Sequence, residues 1–254
     1  MITYDSSVPT NETPGQPITV LQVARMIDHS LLRPELTPED VAVGCALAAS
    51  HQVASVCVKP ADVPQAVKEL QTADAVAVGT VIGFPHGGTT TAVKVAESRQ
   101  VLERGASELD MVLNIGWLRG GRTQQVLEDI GAVVEVGHRA GALVKVILEN
   151  AYLNDSEKVA ACQLVEEAGA DFVKTSTGFA PSGATLSDIV LMRRSVGPMV
   201  QVKAAGGIRT LDTLLAMAAE GTTRFGATAT ADILKEAAQR QANGSLLIPA
   251  RSTD

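Results

Sequence analysis

Short runs rich in valine, isoleucine and leucine alternate along the chain with longer, alanine-rich stretches that have a helical pattern. Eight of the short runs predict β-strands, and their apolar positions are continuous rather than alternating. Because a strand that is apolar at successive positions is covered on both faces, we expect a parallel sheet with helical crossovers. The predicted strands span residues 27–32, 54–59, 75–82, 109–115, 143–149, 172–175, 200–203 and 224–227.

Glycines mark the joints between the predicted helices and the strands that follow them. Gly105, Gly169 and Gly221 each end a helical pattern just before a strand, as a helix C-terminal cap does. One helix start is equally clear, because Thr37 precedes Pro38 and can cap the first turn. The chain therefore repeats a strand–helix unit.

Eight such units in 254 residues favour a single-domain (β/α)8 TIM barrel of the α/β class over an open doubly wound sheet. The G-x-G-x-x-G fingerprint of dinucleotide-binding folds does not open the first helix. We expect the barrel over residues 18–242. A flexible N-terminal tail is expected at 1–17, where the sequence is polar and rich in proline and threonine, and a C-terminal tail at 243–254.

Composition and charge restrict the partners. The formal net charge of -7 and the pI near 5.2 argue against nucleic acid and anionic membranes, and no basic leader, apolar leader or membrane-length run is seen. Cys45, Cys57 and Cys162 are widely spaced and lack the C-x-x-C and Cys/His spacings of metal sites. We therefore expect no metal site, no disulfide framework and a cytoplasmic location.

Two lysines stand where apolar strands open into glycine-bearing loops. Lys174 precedes Thr-Ser-Thr-Gly and Lys203 precedes Ala-Ala-Gly-Gly. A lysine in such a place either extends its ammonium to water or is held for chemistry. Two nearby ammonium groups disfavour each other's charged form, which generates the neutral amine that a nucleophile requires. Because barrel active sites lie at the carboxyl ends of strands, the pair predicts a site there.

Side chains alternate in direction along a strand, which brings further polar side chains into the barrel. Asp110 and Asn114 share one face of the fourth predicted strand, and Lys145 lies inward on the fifth. Asp110 and Lys145 are either a buried core ion pair or part of the site, and spacing favours neither interpretation. Asn114 is the alternative to Asp110 as the inward polar group at the end of this strand. Asp28, expected near the end of the first strand, is likewise either part of a core ion pair or part of the site.

The loops after the seventh and eighth predicted strands are rich in glycine, at 205–210 and 226–230. Backbone amides that glycine exposes bind phosphate oxygens, and barrels often hold a phosphate at these two loops. A phosphorylated substrate is therefore a hypothesis, although glycines also serve ordinary turns. His86, in a third glycine-bearing loop after the third strand, is interpreted as a loop residue rather than a base.

Three strings carry a family resemblance: 109–116 (LDMVLNIG), 173–179 (VKTSTGF) and 202–210 (VKAAGGIRT). They resemble the signatures of the deoxyribose-phosphate aldolase family, and the likeness covers roughly residues 20–240. It implies a cofactor-free class I aldolase that reversibly cleaves 2-deoxy-D-ribose 5-phosphate to acetaldehyde and D-glyceraldehyde 3-phosphate, in deoxyribose catabolism. It also implies a homodimer or homotetramer.

The resemblance assigns roles that spacing alone leaves open. Lys174 matches the Schiff-base lysine, Lys203 matches the lysine that tunes its charge and takes part in proton transfer, and Asp110 matches the acid/base residue. Supporting positions are Asp28, Cys57, Lys145 and Thr177, and phosphate-binding positions are Gly178, Gly206, Gly207, Gly226 and Thr228.

The phosphate loops depart from the family pattern at one point. Thr228-Ala229 stands where a Ser-Ser pair is usual, so one hydroxyl is missing. If that hydroxyl binds phosphate, its absence weakens binding by about 1 kcal/mol, roughly five-fold.

Two alternatives accompany this assignment. Another Schiff-base barrel enzyme, such as a transaldolase-like enzyme, would keep the lysine and change the sugar phosphate. A non-catalytic binding protein on the same fold would leave both lysines structural.

Overall fold

A computed structural model describes residues 15–251 of the chain. Eight parallel strands close into a barrel in sequence order, so the predicted TIM barrel is confirmed. Its strands are β2 (Ile27–Leu31), β3 (Ser55–Val58), β4 (Ala77–Ile82), β5 (Glu108–Val112), β6 (Leu143–Ile147), β7 (Phe172–Lys174), β8 (Gln201–Ala205) and β9 (Thr222–Ala227).

Helices cover the outer face of the barrel. They are α1 (Val20–Ala24), α2 (Pro38–His51), α3 (Val63–Glu69), α4 (Thr91–Glu103), α5 (Ile115–Arg119), α6 (Thr123–Arg139), α7 (Asp155–Glu167), α8 (Leu186–Arg194), α9 (Leu211–Ala219) and α10 (Thr230–Ala242). Short 3₁₀ turns span Pro60–Asp62 and Asn150–Tyr152.

The predicted helix signals lie where the sequence indicated. The Thr37 side chain accepts a hydrogen bond from the backbone N–H of Asp40, and Pro38 is the first residue of α2. Gly105, Gly169 and Gly221 follow the ends of α4, α7 and α9 with positive φ angles of 100°, 77° and 97°. This left-handed conformation favours glycine, which explains the residue type at all three joints.

The core consists of short aliphatic side chains between the barrel and the helices. Val56, Val144, Val173 and Val202, each fully buried, belong to one continuous cluster that also includes inward faces of the helices. This packing covers both faces of the strands, as their continuous apolar runs predicted. In the part of the chain that is described, no helix is long and apolar enough to span a bilayer.

The two ends of the described chain pair with each other. Strand β1 (Gln16–Pro17) is antiparallel to β10 (Leu247–Ile248), and Leu246 is buried in the core. Residues 15–17 and 246–248 belong to the predicted tails and pair with each other, whereas 1–14 and 252–254 lie outside the described residues.

Three polar residues lie elsewhere in or beyond their strands than expected. Asn114 is not in a strand, because its side chain caps α5 by accepting from the N–H of Trp117. Glu149 follows β6 with a φ angle of 57°, which ends the extended backbone before it. Asp28 is the second residue of β2 and so lies near the start of its strand, not near its end.

Candidate active site

Lys174 and Lys203 lie side by side at the carboxyl ends of neighbouring strands. Lys174 is the last residue of β7, and the register of β7 with β8 places it opposite Lys203. Both side chains are almost fully buried, with residue exposures of 3% and 1%. Two amines are therefore held in a dry environment at the end of the barrel where its catalytic loops begin.

Asp110 joins the two lysines from below. Its Oδ2 atom accepts hydrogen bonds from Lys174 Nζ and Lys203 Nζ, both at 2.6 Å, and its Oδ1 accepts from Lys145 Nζ at 2.8 Å. The register aligns Asp110 with Lys145 and Lys145 with Phe172, two residues before Lys174. The carboxylate lies one layer deeper than the lysines, and their long side chains reach it. Asp110 thus contacts both Lys145 and the lysine pair.

A deeper layer extends these contacts. Asp28 Oδ1 accepts from Arg224 Nε at 2.8 Å, and Asp28 Oδ2 pairs with Lys203. Glu108 Oε2 accepts from Lys145 Nζ at 2.7 Å and from Arg224 Nη2 at 2.8 Å. We refer to these connected side chains as the buried ion network: Asp28, Glu108, Asp110, Lys145, Lys174, Lys203 and Arg224.

The pKa shifts in the buried ion network single out Lys174. Its pKa is lowered, because burial and the charge of Lys203 together outweigh the attraction of Asp110. Burial also opposes the charge of Lys203 and Lys145, but the neighbouring carboxylates outweigh it and raise both pKa values. The three lysines hold the pKa of Asp110 well below its usual range despite its burial. Within the network Lys174 is therefore the amine that most readily loses its proton.

Charge balance in the buried ion network supports the same conclusion. Among the residues that the structure describes, the network contains four basic groups and three carboxylates. Full ionisation leaves one uncompensated positive charge in a buried site, which is costly. Loss of the Lys174 proton removes that excess, so a neutral Lys174 is the electrostatically balanced state.

A cavity of about 150 Å³ opens above the two lysines. Lys174, Lys203, Asp28 and Cys57 line it, but Asp110 and Lys145 do not. Its walls come from the ends of four strands and the loops that follow them: Ser30 in β2 with Leu32 and Arg33 after it; Thr177, Gly178 and Phe179 after β7; Ala205 in β8 with Gly206, Gly207, Ile208 and Arg209 after it; Gly226 and Ala227 in β9 with Thr228 after it.

The glycine loops on one side of the cavity expose backbone amides. Gly178, Gly206 and Gly207 have φ angles of 87°, 80° and 85°, which other residues rarely adopt. The N-cap residue of α10, Ala229, makes no side-chain capping bond, so the first amides of this helix have no capping side chain. Thr228 lines the cavity just before it. Such a set of amides at a helix N-terminus suits an anion.

The predicted supporting residues have distinct surroundings. Thr177 lines the cavity, and its backbone N–H donates to both carboxylate oxygens of Glu149 at 3.2 and 3.3 Å. Burial and the Asp110 carboxylate raise the pKa of Cys57 to about 11, which keeps it a thiol. Asn114 caps α5 and does not line the cavity. Across residues 15–251, no group of three or more His, Cys, Asp or Glu side chains could hold a metal ion.

Comparison with known proteins agrees with this geometry. The family model of the DeoC/LacD family aldolases matches residues 22–236. The chain belongs to this aldolase family. A deoxyribose-phosphate aldolase of Thermococcus gammatolerans is 52% identical over 207 residues, covering 81% of this chain and 92% of the relative. One of Rhodopirellula baltica is 48% identical over 215 residues, covering 85% and 89%.

A solved relative shares the fold of this aldolase. The tetrameric deoxyribose phosphate aldolase of Aeropyrum pernix superposes with a TM-score of 0.80 at 29% identity, covering 86% of this chain and 92% of that one. The family resemblance drawn from the sequence motifs is therefore confirmed.

Sequence reasoning gave several residues of the site in this aldolase no role. Glu108 and Arg224 complete the deeper layer, and Glu149, which shares the strand parity of Lys145, anchors the loop after β7. Parity was the available signal for two of them, because Glu108 precedes Asp110 by two residues and Arg224 precedes Gly226 by two. Arg33, in the loop after β2, carried no such signal.

Proposed function

We propose that this chain is a class I aldolase that reversibly cleaves 2-deoxy-D-ribose 5-phosphate to acetaldehyde and D-glyceraldehyde 3-phosphate. The observation that carries the proposal is the contact of Lys174 and Lys203 with one oxygen of Asp110 at the base of the cavity, where only Lys174 of the three network lysines has a lowered pKa. The names of the relatives supply the substrate.

Lys174 acts as the nucleophile in this mechanism. Its neutral amine attacks the aldehyde carbon C1 of the sugar, and loss of water gives an iminium ion. Removal of the C3 hydroxyl proton lets the C2–C3 electron pair move into the iminium. This step releases D-glyceraldehyde 3-phosphate and leaves an enamine on Lys174. Protonation of C2 and hydrolysis then release acetaldehyde and restore the amine, so the mechanism assigns no step to a cofactor.

Lys203 and Asp110 handle charge and protons in the proposal. Lys203 lines the cavity with a raised pKa, so it stays protonated and helps to keep Lys174 neutral. Asp110 is fully buried below both lysines and does not line the cavity. A proton therefore passes between Asp110 and the substrate through Lys203 or through a water molecule.

The glycine loops hold the phosphate of the substrate. Gly178, Gly206, Gly207 and the amides at the start of α10 supply N–H donors on the wall beside Thr228. A Cβ at Gly226 would lie 3.1 Å from the Cβ of Ala205, so the glycine avoids a tight contact within the wall beside Lys203.

Reductive trapping tests the proposal. Wild type incubated with acetaldehyde and borohydride is expected to gain one reduced adduct by mass spectrometry, whereas K174A is expected to gain none at this site. The exposed Lys235 in α10 provides a matched control, K235A, which should trap like wild type. A K174A variant that traps at the wild-type rate would contradict the assigned nucleophile.

A retro-aldol assay on 2-deoxyribose 5-phosphate then tests the substrate. An adduct formed with a ketose phosphate, together with no cleavage of the deoxy sugar, would indicate a transaldolase-like enzyme. The absence of an adduct with every aldehyde would indicate a binding protein.

Assembly and location complete the proposal. We propose a homodimer or homotetramer, supported by the tetramer named for the Aeropyrum pernix relative; light scattering after gel filtration would give the mass. We also propose a cytoplasmic location, supported by three buried free thiols at Cys45, Cys57 and Cys162. Cell fractionation would test it.

A further inference from the structure

Two arginine side chains line the catalytic cavity without a partner among the residues that the structure describes. Arg209 follows the glycines of the loop after β8, and Arg33 belongs to the loop after β2. Both are exposed, and neither guanidinium forms a hydrogen bond or ion pair within residues 15–251. Both groups are thus free to bind an anion. The lysines of the cavity are not, since Lys174 and Lys203 are bound to Asp110.

Arg33 borders the phosphate loops from the β2 side, whereas Arg209 belongs to the loop after β8 itself. Strand β2 pairs with β9, and β9 pairs with β8, so the loop after β2 adjoins the loop that carries Thr228. The His29 Nδ1 atom of β2 lies 2.8 Å from Thr230 Oγ1, in the first residue of α10, and both residues are buried. This contact fixes the loop after β2 relative to the start of α10.

The loop that carries Arg33 is itself held in place. The N–H of Leu36 donates to the carbonyl of Arg33 at 3.2 Å, and Lys59 Nζ donates to the carbonyl of Leu36 at 3.0 Å. Pro34 restricts the backbone of the preceding residue as well. The guanidinium is therefore presented from an anchored turn, while its own side chain stays unconstrained.

We infer that Arg33 is a specificity-determining residue whose guanidinium binds the phosphate of the substrate from the loop after β2, which adjoins the glycine-bearing loop after β9. The inference rests on the proposed function. The amides of the glycine loops are neutral donors, whereas a phosphate ester carries close to two negative charges at neutral pH. A guanidinium matches the geometry of a phosphate. Arg33 also supplies a donor on the side of the cavity where Ala229 offers no hydroxyl.

The test compares a phosphorylated substrate with its unphosphorylated counterpart. Kinetics of R33Q are measured with 2-deoxyribose 5-phosphate and with 2-deoxyribose, beside R33K and the control R99Q. Arg99 is an exposed arginine of α4 that lies outside the cavity. Because the Arg33 guanidinium has no partner within residues 15–251, circular dichroism of R33Q should match wild type.

We expect the ratio of kcat/KM for the phosphorylated sugar to that for the unphosphorylated sugar to fall about tenfold in R33Q, mainly through KM. R33K should recover part of the ratio, and R99Q should equal wild type. Added salt should narrow the difference between wild type and R33Q, because the contact is exposed.

Provided that wild type cleaves the phosphorylated sugar, two results would refute the role of Arg33 and leave the proposed function standing. They are an unchanged kcat/KM ratio in R33Q and an equal loss of kcat/KM on both sugars. Failure of wild type to cleave the phosphorylated sugar would refute the proposed function and this inference with it.

Discussion

Replacing Lys203 by methionine removes one basic group from the buried ion network and keeps an unbranched side chain. Lys174 Nζ and Lys203 Nζ each lie 2.6 Å from Asp110 Oδ2, so the two nitrogens are no more than about 5 Å apart. At an effective dielectric constant of about 20, two unit charges at that distance repel by about 3 kcal/mol. Loss of this repulsion makes the charged form of Lys174 more favourable.

The sign of the effect follows from the chemistry. In the proposed mechanism Lys174 must be neutral to attack, and Lys203 is one of the causes that lower its pKa. In K203M the pKa of Lys174 rises, and at pH 7 the neutral fraction and the rate of borohydride trapping are expected to fall about 100-fold. Trapping should recover as the pH is raised, because the amine then loses its proton.

The assay is the rate of acetaldehyde trapping over a pH series from about 6 to about 10, for wild type, K203M and K203R. K203R retains the charge and should keep the acidic limb of the wild-type profile, whereas that of K203M should move to higher pH. If the trapping rate of K203M were lower by the same factor at every pH, with the acidic limb at the wild-type pH, the electrostatic role of Lys203 would be refuted.

Three further substitutions test other contacts. D110N removes the shared anion, so we expect Schiff-base trapping to persist while the rate of 2-deoxyribose 5-phosphate cleavage falls about 10²-fold or more. The free energy of unfolding of D110N should also decline less than that of wild type as the pH falls below about 4, because the lowered pKa of Asp110 means that only its ionised form stabilises the fold. E149Q leaves a single acceptor oxygen for the loop after β7, so KM for the phosphorylated sugar should rise several-fold with a smaller change in kcat, and an unchanged KM would exclude this anchoring role. In G183A, in the segment between β7 and α8, the new Cβ would lie 2.1 Å from the carbonyl oxygen of Gly206, so we expect a weakened phosphate site and a higher KM. The control is G131A in α6, whose new Cβ would meet no atom of another element within 4 Å, and it should retain wild-type kinetics.

The order of the barrel strands was readable from the sequence because continuous apolar runs and glycine joints report burial and local backbone conformation. Strand ends were less readable, because they depend on how each loop is anchored. Asn114 has the parity of an inward strand residue but caps α5, and Glu149 takes a left-handed backbone where its carboxylate meets Thr177. Neither contact is visible before the loops are folded.

The lysine pair could be located from sequence, but its partners could not all be identified. Strand counting put Lys174 and Lys203 on neighbouring strands, and the register places them opposite each other. Parity placed Asp110 inward, and its buried carboxylate lies inside the barrel in contact with Lys145. Whether it also touches the lysine pair depends on side-chain length and strand stagger. Glu108 and Arg224 were missed for the same reason, since a contact across three strands needs the register of each.

The pairing of β1 with β10 fixes where the ends of the described chain leave the barrel. Helix α10 runs opposite to the strands, and α1 leads directly into the start of β2, so both ends emerge on the face away from the catalytic cavity. A purification tag, a fusion partner or an immobilising tether joined there would leave the substrate entrance clear. A short peptide joining the ends would also permit circular permutation, with new termini opened in loops on that same face.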